Sequence, residues 1–125
     1  MILSGTIAGL ILTLAPSQPE IIMVNAAPPK QVMVPNVVLA KKMANAYGWK
    51  GRQWRCLRSL WLAESSFQHL ARNRQGSSAF GIAQLLGETS TIPAVQITRG
   101  LRYVTARYGN DPCVALAFHR KHGYY

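Results

Sequence analysis

The amino-acid sequence predicts a mainly α-helical domain, on three observations. Apolar residues recur every three or four positions in several long segments, as on the buried face of a helix. Proline, glycine and a capping aspartate stand where such segments would begin or end. No segment shows the convincing alternation of apolar and polar residues that is typical of a β-strand. A chain of 125 residues is long enough for one domain at most.

The N-terminal region is predicted to lie outside that domain. Residues 1–15 form an apolar run that is short for a membrane span and suits the core of a secretory signal. A small residue at Ala26 offers a cleavage site, although no Lys or Arg precedes the run. Residues 1–26 are therefore interpreted as a signal peptide or a hydrophobic anchor, with an unprocessed virion-type N-terminus as an alternative. Prolines then predict a linker over residues 27–36.

The predicted domain, residues 37–125, begins with two helices. The first is expected over Val37 to Tyr47 and is stopped by Gly48. The second starts at about Gln53 and runs to the segment around Glu64, with apolar residues at helical spacing.

Two further helices are predicted after a polar turn and a short apolar piece. Residues 72–78 are too polar for the core, whereas residues 79–86 are apolar and contain a glycine. Pro93 suits the first turn of a third helix, whose apolar positions are Val95, Leu101, Val104 and Tyr108. Asp111 followed by proline predicts an N-cap and a first turn for a last helix, over residues 113–118.

Glu64 is informative because carboxylates are scarce. The four acidic residues are Glu20, Glu64, Glu88 and Asp111, against 14 Lys and Arg. On a helix, Glu64 continues the apolar stripe of Leu57, Leu60 and Trp61. A carboxyl on such a face is desolvated, which raises its pKa and suits a general acid. The alternative is a glutamate at the end of a helix that points into solvent, and the pattern does not decide between them.

The formal net charge of +10 predicts affinity for polyanions. Nucleic acid, anionic lipid and the acidic polymers of a bacterial cell wall all fit this charge. The basic residues are scattered through the helix-like segments, so the charge names no partner.

Cys56 and Cys113 are the two cysteines. They could form one disulfide or remain as two buried thiols, and their spacing does not decide between these states. No Cys or His cluster has the spacing of metal ligands, so neither a metal site nor a cofactor is expected.

Three motifs in order resemble a known family. They are Trp61-Leu-Ala-Glu64-Ser65, Ala79-Phe80-Gly81-Ile82-Ala83-Gln84 and Gly100-Leu101-x-Tyr103. Together they resemble the lytic transglycosylase domains of the lysozyme-like superfamily, over residues 45–125. The aromatic-rich C-terminus is similar to that of small secreted transglycosylase-like proteins of Gram-positive bacteria. This resemblance implies a Cys56–Cys113 disulfide and a secreted or cell-wall-associated monomer that contacts a membrane only through an uncleaved N-terminal segment.

The resemblance implies cleavage of peptidoglycan at the β-1,4 bond between N-acetylmuramic acid and N-acetylglucosamine. Glu64 would act as acid and then as base, giving 1,6-anhydro products without water. A muramidase would instead need a second carboxylate. Glu88 is the main candidate for that role, since Asp111 is interpreted as a helix cap.

Substrate contacts are expected from six further residues: Ser65, Phe80, Gly81, Gln84, His119 and Tyr124. Each has a simpler structural interpretation. Ser65 suits the end of a helix, Gly81 suits an unusual backbone conformation, and Phe80 suits the core. Gln84 and His119 would then be surface residues.

Two departures from the family pattern affect these expectations. The segment between Gln84 and Pro93 is shorter than is usual in the family, which would reshape one wall of the cleft. Residues 117–119 match the family's Ala-Tyr-Asn only loosely, so its tyrosine hydroxyl is missing unless Tyr103, Tyr124 or Tyr125 supplies it. The rival class is a non-catalytic basic module that binds wall polymer or nucleic acid, although nucleic acid is not expected.

Overall fold

The computed structural model describes residues 34–73 and 76–125. This part of the chain is mainly α-helical, as predicted, with four helices that contain 58% of the described residues. The predicted signal or anchor and residues 27–33 of the predicted linker lie outside the described residues.

The four helices lie close to their predicted positions. They are α1 (Asn36–Ala46), α2 (Arg52–Ser65), α3 (Pro93–Tyr108) and α4 (Pro112–His122). Helix α1 begins one residue inside the predicted linker. The predicted cap of α4 is confirmed, since the Asp111 carboxylate accepts the backbone N–H of Cys113 at 2.9 Å. Helix α4 continues to His122, four residues beyond its predicted end, so His119 and His122 are helical.

A short β-hairpin corrects the expectation that the chain has no strand. Strand β1 (Ala79–Phe80) pairs antiparallel with β2 (Leu85–Leu86). Each strand has two residues, which is too short to show an alternating pattern. The turn between them begins at Gly81 and ends at Gln84, and both have positive φ angles. The tight turn of the hairpin therefore contains Gly81 and Gln84, two of the residues predicted to contact substrate.

Helix α2 supplies the centre of the hydrophobic core. Its side chains Leu57, Leu60 and Trp61 are completely buried. A Cβ atom at Gly100 of α3 would lie 2.6 Å from the Trp61 ring, so the glycine allows α3 to approach the indole closely. This packing explains why a glycine stands on the buried face of α3.

A disulfide joins α2 to the start of α4. Cys56 and Cys113 are bonded, with their Cα atoms 4.9 Å apart. The alternative of two free thiols is therefore excluded. Of the helix pairs in the described part of the chain, α2 and α4 share the most extensive contact. The bond and this packing hold the C-terminal half of α4 beside the end of α2.

Candidate active site

Glu64 lies in the last turn of α2, on the stripe that the sequence predicts to be apolar. Its side chain is 15% exposed and follows the fully buried Leu57, Leu60 and Trp61. This burial raises the pKa of Glu64 from its ordinary value of 4.5 to about 7. The raised pKa favours the protonated form of Glu64 at a higher pH than is usual for a glutamate. Of the two interpretations of Glu64, the desolvated carboxyl is the one that the structure shows.

One oxygen of Glu64 is enclosed beside α4. Nε2 of His119 lies 2.7 Å from Oε1 of Glu64. The contact is close but is not aligned as a hydrogen bond, and Oε1 is a buried oxygen without a hydrogen-bond partner among the described residues. Oε1 is therefore closed to solvent on the side of α4.

The Glu64 side chain lines an open cleft of about 270 Å³, which we call the Glu64 cleft. The other residues that line it are Asn73, Ser77, Ala79, Gln84, Leu86, Gly123, Tyr124 and Tyr125. These side chains are uncharged and mostly polar or aromatic, apart from Ala79 and Leu86. The cleft is thus formed by α2, the segment before the hairpin, the hairpin itself and the C-terminal residues. Its chemistry suits a neutral, hydroxyl-rich or amide-rich ligand more than a charged one.

The other two carboxylates in the described part of the chain have structural partners. Oε2 of Glu88 accepts the backbone N–H groups of Thr89 at 3.0 Å and Ser90 at 3.3 Å, and it forms an ion pair with Arg99. Glu88 lines two other cavities and not the Glu64 cleft. Asp111 caps α4. Glu64 therefore has the one side-chain carboxyl group among the described residues that line this cleft.

Ser65 and Gln84 hold the wall of the cleft in place. The Ser65 hydroxyl donates to the carbonyl of Ile82 at 2.5 Å, which ties the end of α2 to the hairpin turn. The Gln84 amide nitrogen donates to the carbonyls of Ala71 and Gly81, both at 2.9 Å. Because both partners are acceptors, the amide oxygen of Gln84 takes no part in these bonds.

Gly81 and Gln96 form a second support beneath the hairpin turn. Gly81 has φ +81°, and a Cβ atom there would lie 2.5 Å from Cδ of Gln96. Gln96 is almost completely buried. Its amide accepts the N–H of Ile82 at 2.9 Å and donates to the carbonyls of His69 and Ser90. Gln96 is not among the predicted site residues, although an amide on the buried face of α3 is a signal that could have identified it.

The aromatic candidates separate into two groups. Tyr124 is 58% exposed and lines the Glu64 cleft. Phe80 is buried under the Arg72 guanidinium, whose central carbon is 5.0 Å from the ring centre, and it lines a different cavity of about 500 Å³. The two cavities share Asn73, Ser77 and Ala79, so they adjoin one another. Phe80 therefore supports a neighbouring surface and does not face Glu64.

Tyr125 lines the cleft, but its hydroxyl forms hydrogen bonds within the protein. This hydroxyl accepts the indole N–H of Trp61 at 3.0 Å and donates to the carbonyl of Ala83 at 2.6 Å. Burial raises the pKa of Tyr125 well above its ordinary value, with a smaller contribution from the charge of Glu64. Tyr125 thus stays uncharged beside Glu64, and it fastens the C-terminal segment to the core.

No group of three or more potential ligands is placed to hold a metal ion within the described residues. None of the helices α1 to α4 has both the length and the apolar character of a membrane span.

Comparison with protein-family models, with characterised proteins and with solved structures finds no match to this chain.

Proposed function

We propose that the protein is a peptidoglycan lytic transglycosylase with a lysozyme-like domain. It cleaves the β-1,4 bond between N-acetylmuramic acid and N-acetylglucosamine. One observation carries this proposal: the described residues that line the cleft include a single side-chain carboxyl group, and burial raises the pKa of that group to about 7. A general acid works best when its pKa is close to the working pH. The order of the sequence motifs supports the same family.

In the first step, protonated Glu64 donates its proton to the oxygen that links the two sugars. The bond between this oxygen and the anomeric carbon of N-acetylmuramic acid breaks, and the leaving sugar departs with a hydroxyl group. The remaining sugar develops positive charge at the anomeric carbon, which the new Glu64 carboxylate stabilises.

In the second step, the same carboxylate acts as a base. It removes the proton from the 6-hydroxyl of the muramic acid, whose oxygen then bonds to the anomeric carbon. The product is a 1,6-anhydro sugar, Glu64 is protonated again, and no water is consumed. A glycosidase with two carboxylates places them about 5 to 9.5 Å apart across the bond. The commitment of Glu88 and Asp111 to other partners therefore favours the one-carboxylate route.

The cleft walls suit a glycan strand. The amide oxygen of Gln84 is suited to accept the N–H of an N-acetyl group, and the exposed ring of Tyr124 is suited to stack on a sugar face. Ser65 and Gly81 contribute by holding the hairpin turn near Glu64. The disulfide is typical of proteins that work outside the reducing cytoplasm, where peptidoglycan is found.

The experiment that tests this function compares Glu64→Gln with Glu88→Gln on purified peptidoglycan. Soluble muropeptides are separated and identified by mass. The wild type and Glu88→Gln should release 1,6-anhydro products, which are lighter than hydrolytic products by one water molecule. Glu64→Gln should be slower by about a hundredfold or more.

The products also separate the alternatives. Reducing-end products that disappear in Glu88→Gln would identify a two-carboxylate muramidase. Retention of all three proteins on the wall, without any released product, would indicate a non-catalytic wall-binding module and would refute the proposal.

A further inference from the structure

We infer that His119 is a positioning residue that holds Oε1 of Glu64 and leaves Oε2 to exchange the proton with the substrate. The catalytic consequence of this inference rests on the proposed function. The placement of the carboxyl group does not, and it can be tested without any substrate.

The two oxygens of Glu64 have different surroundings. Oε1 is inaccessible to solvent and lies 2.7 Å from Nε2 of His119. A sugar in the Glu64 cleft therefore cannot reach Oε1. Because the side chain nevertheless lines the cleft, Oε2 is the oxygen that can donate or accept a proton there.

The geometry requires a proton between the two atoms. At 2.7 Å, an oxygen and a nitrogen that both offered lone pairs would repel each other. An imidazole presents an N–H at Nε2 when it is protonated or in the Nε2–H tautomer. Catalytic hydrogen bonds often align fully only when a substrate is bound. An N–H from His119 would also satisfy Oε1, a buried acceptor that is costly to leave without a donor.

The fold fixes His119 at this position. Helix α4 packs against α2 through the buried residues Ala115 and Leu116, and the Cys56–Cys113 disulfide anchors its first turn. His119 follows one turn after Ala115, so it faces the end of α2. Its side chain is 17% exposed. The ring is therefore held by tertiary packing and is not a mobile surface group.

Among the described residues, the other titratable groups near Glu64 do not duplicate this role. From the C-terminal segment, Tyr125 is uncharged and its hydroxyl is bonded to Trp61 and Ala83, while Tyr124 lines the cleft. The hairpin contributes the amide of Gln84, which carries no charge. Arg and Lys side chains are absent from the described residues that line the cleft. Oε1 lacks a hydrogen-bond donor. Among the described contacts, His119 is the residue that can supply one.

The direction in which His119 shifts the pKa of Glu64 depends on whether it stabilises the carboxylate or the protonated acid. An N–H that donates to Oε1 stabilises the carboxylate more than the protonated acid, so it lowers the pKa of Glu64. Desolvation acts in the opposite direction and raises the pKa of Glu64. Removal of the donor should therefore raise the pKa of Glu64 further. If Glu64 instead donated its proton to His119, removal of the ring would lower that pKa.

The test uses three variants of His119 in the full chain. His119→Gln places an amide nitrogen near the position of Nε2, whereas His119→Asn has a nitrogen that is too far back to reach Oε1. His119→Leu keeps a similar volume and offers no donor. Circular dichroism confirms that each variant is folded. The Glu64 carboxyl carbon is then titrated by ¹³C NMR, and kcat and KM are measured on peptidoglycan fragments.

We expect the Glu64 titration to move to higher pH in His119→Leu and His119→Asn and to stay near the wild-type midpoint in His119→Gln. We expect kcat to fall by about 10- to 100-fold in the first two variants, with KM little changed, because a hydrogen bond to a charged group is lost. His119→Gln should retain most of kcat. A purely structural role would not be rescued by the amide.

Three outcomes would overturn the inference. These are a Glu64 titration that is unchanged in His119→Leu and His119→Asn, a titration that moves to lower pH in them, or equal losses of kcat in all three variants. An inactive wild type whose Glu64 titration responds to His119 as expected would refute the proposed activity while leaving the positioning of the carboxyl group intact.

Discussion

Glu64 and Glu88 are two glutamates whose side chains are both shielded from solvent, at 15% and 2% exposure. Oε2 of Glu88 accepts two backbone N–H groups and an arginine, whereas the one close donor of Glu64, His119, is not aligned with it. Oε1 of each glutamate is buried without a hydrogen-bond partner among the described residues. Hydrogen bonds from donors stabilise a carboxylate, and burial without them favours the protonated acid. The two glutamates therefore differ more in their donors than in their burial.

The two regions also differ in how they are assembled. The partners of Glu88 lie next to it in the chain or eleven residues away on α3. The surroundings of Glu64 come from α2, the hairpin, α4 and the C-terminal residues. The region around Glu88 is therefore a local structure, while the Glu64 cleft depends on long-range packing. This contrast leads to three predictions.

The largest expected effect is that of removing the disulfide. Replacing Cys56 and Cys113 by serine should lower the free energy of unfolding by about 4 kcal/mol, because the bond closes a long loop in the unfolded chain. Urea denaturation measures the loss. Since the bond anchors α4, the ¹³C titration of Glu64 should also move toward the ordinary value, while the Thr89 and Ser90 amides beside Glu88 keep their NMR shifts.

One result for the serine variant would contradict the contrast between the two regions. If the amides of Thr89 and Ser90 were perturbed as strongly as the Glu64 carboxyl, the two regions would belong to one cooperative unit. The alanine and serine versions of the double variant should agree, which controls for the new hydroxyl groups.

The second prediction concerns the dependence of stability on pH. The pKa of Glu64 is about 7 in the folded protein and 4.5 when the side chain is in solvent. Between these values, the unfolded chain loses the proton that the folded protein retains, so stability falls as the pH rises. Relative to Glu64→Gln, the wild type should lose about 3 kcal/mol between pH 4 and pH 8.

Thermal and urea denaturation of the wild type and Glu64→Gln at the two pH values measure this difference. The comparison with Glu64→Gln removes the contributions of His69 and His122, which both proteins share, whereas His119 contacts Glu64 and titrates together with it. A stability difference that did not change with pH would mean that Glu64 is not desolvated in solution.

The sequence predicted the Glu64 side of the comparison better than the Glu88 side. The stripe of Leu57, Leu60, Trp61 and Glu64 follows from helical periodicity, which left open whether Glu64 is desolvated or points into solvent. The structure shows the desolvated arrangement. Glu88 lies in a loop, where no periodicity indicates which groups surround a side chain. Its role was left open for that reason, and the backbone conformation after β2 decides it.

The contacts around Glu64 were harder to predict than its burial. The contact with His119 depends on α4 extending past residue 118, which the apolar pattern does not show. The hairpin has strands too short to be seen in a sequence, and it places Gln84 on the cleft wall. Gln96 was not predicted, because the periodicity of α3 does not show that its amide meets the hairpin turn. These contacts bring together residues far apart in the chain, which local patterns do not specify.

The smallest of the three effects tests whether donors hold Glu88 in place. Glu88→Gln preserves the shape of the side chain but removes the charge that Arg99 pairs with, and it places an amide N–H₂ in a buried position. It should lower the free energy of unfolding by about 2 kcal/mol. Arg99→Gln should lower the free energy of unfolding by less, about 0.5 kcal/mol, because the Arg99 side chain is 48% exposed and the backbone donors to Glu88 remain.

Urea denaturation of both variants ranks their losses of stability. Equal losses would mean that the ion pair, and not the backbone of residues 89–90, determines the state of Glu88, and the contrast with Glu64 would then rest on a single arginine.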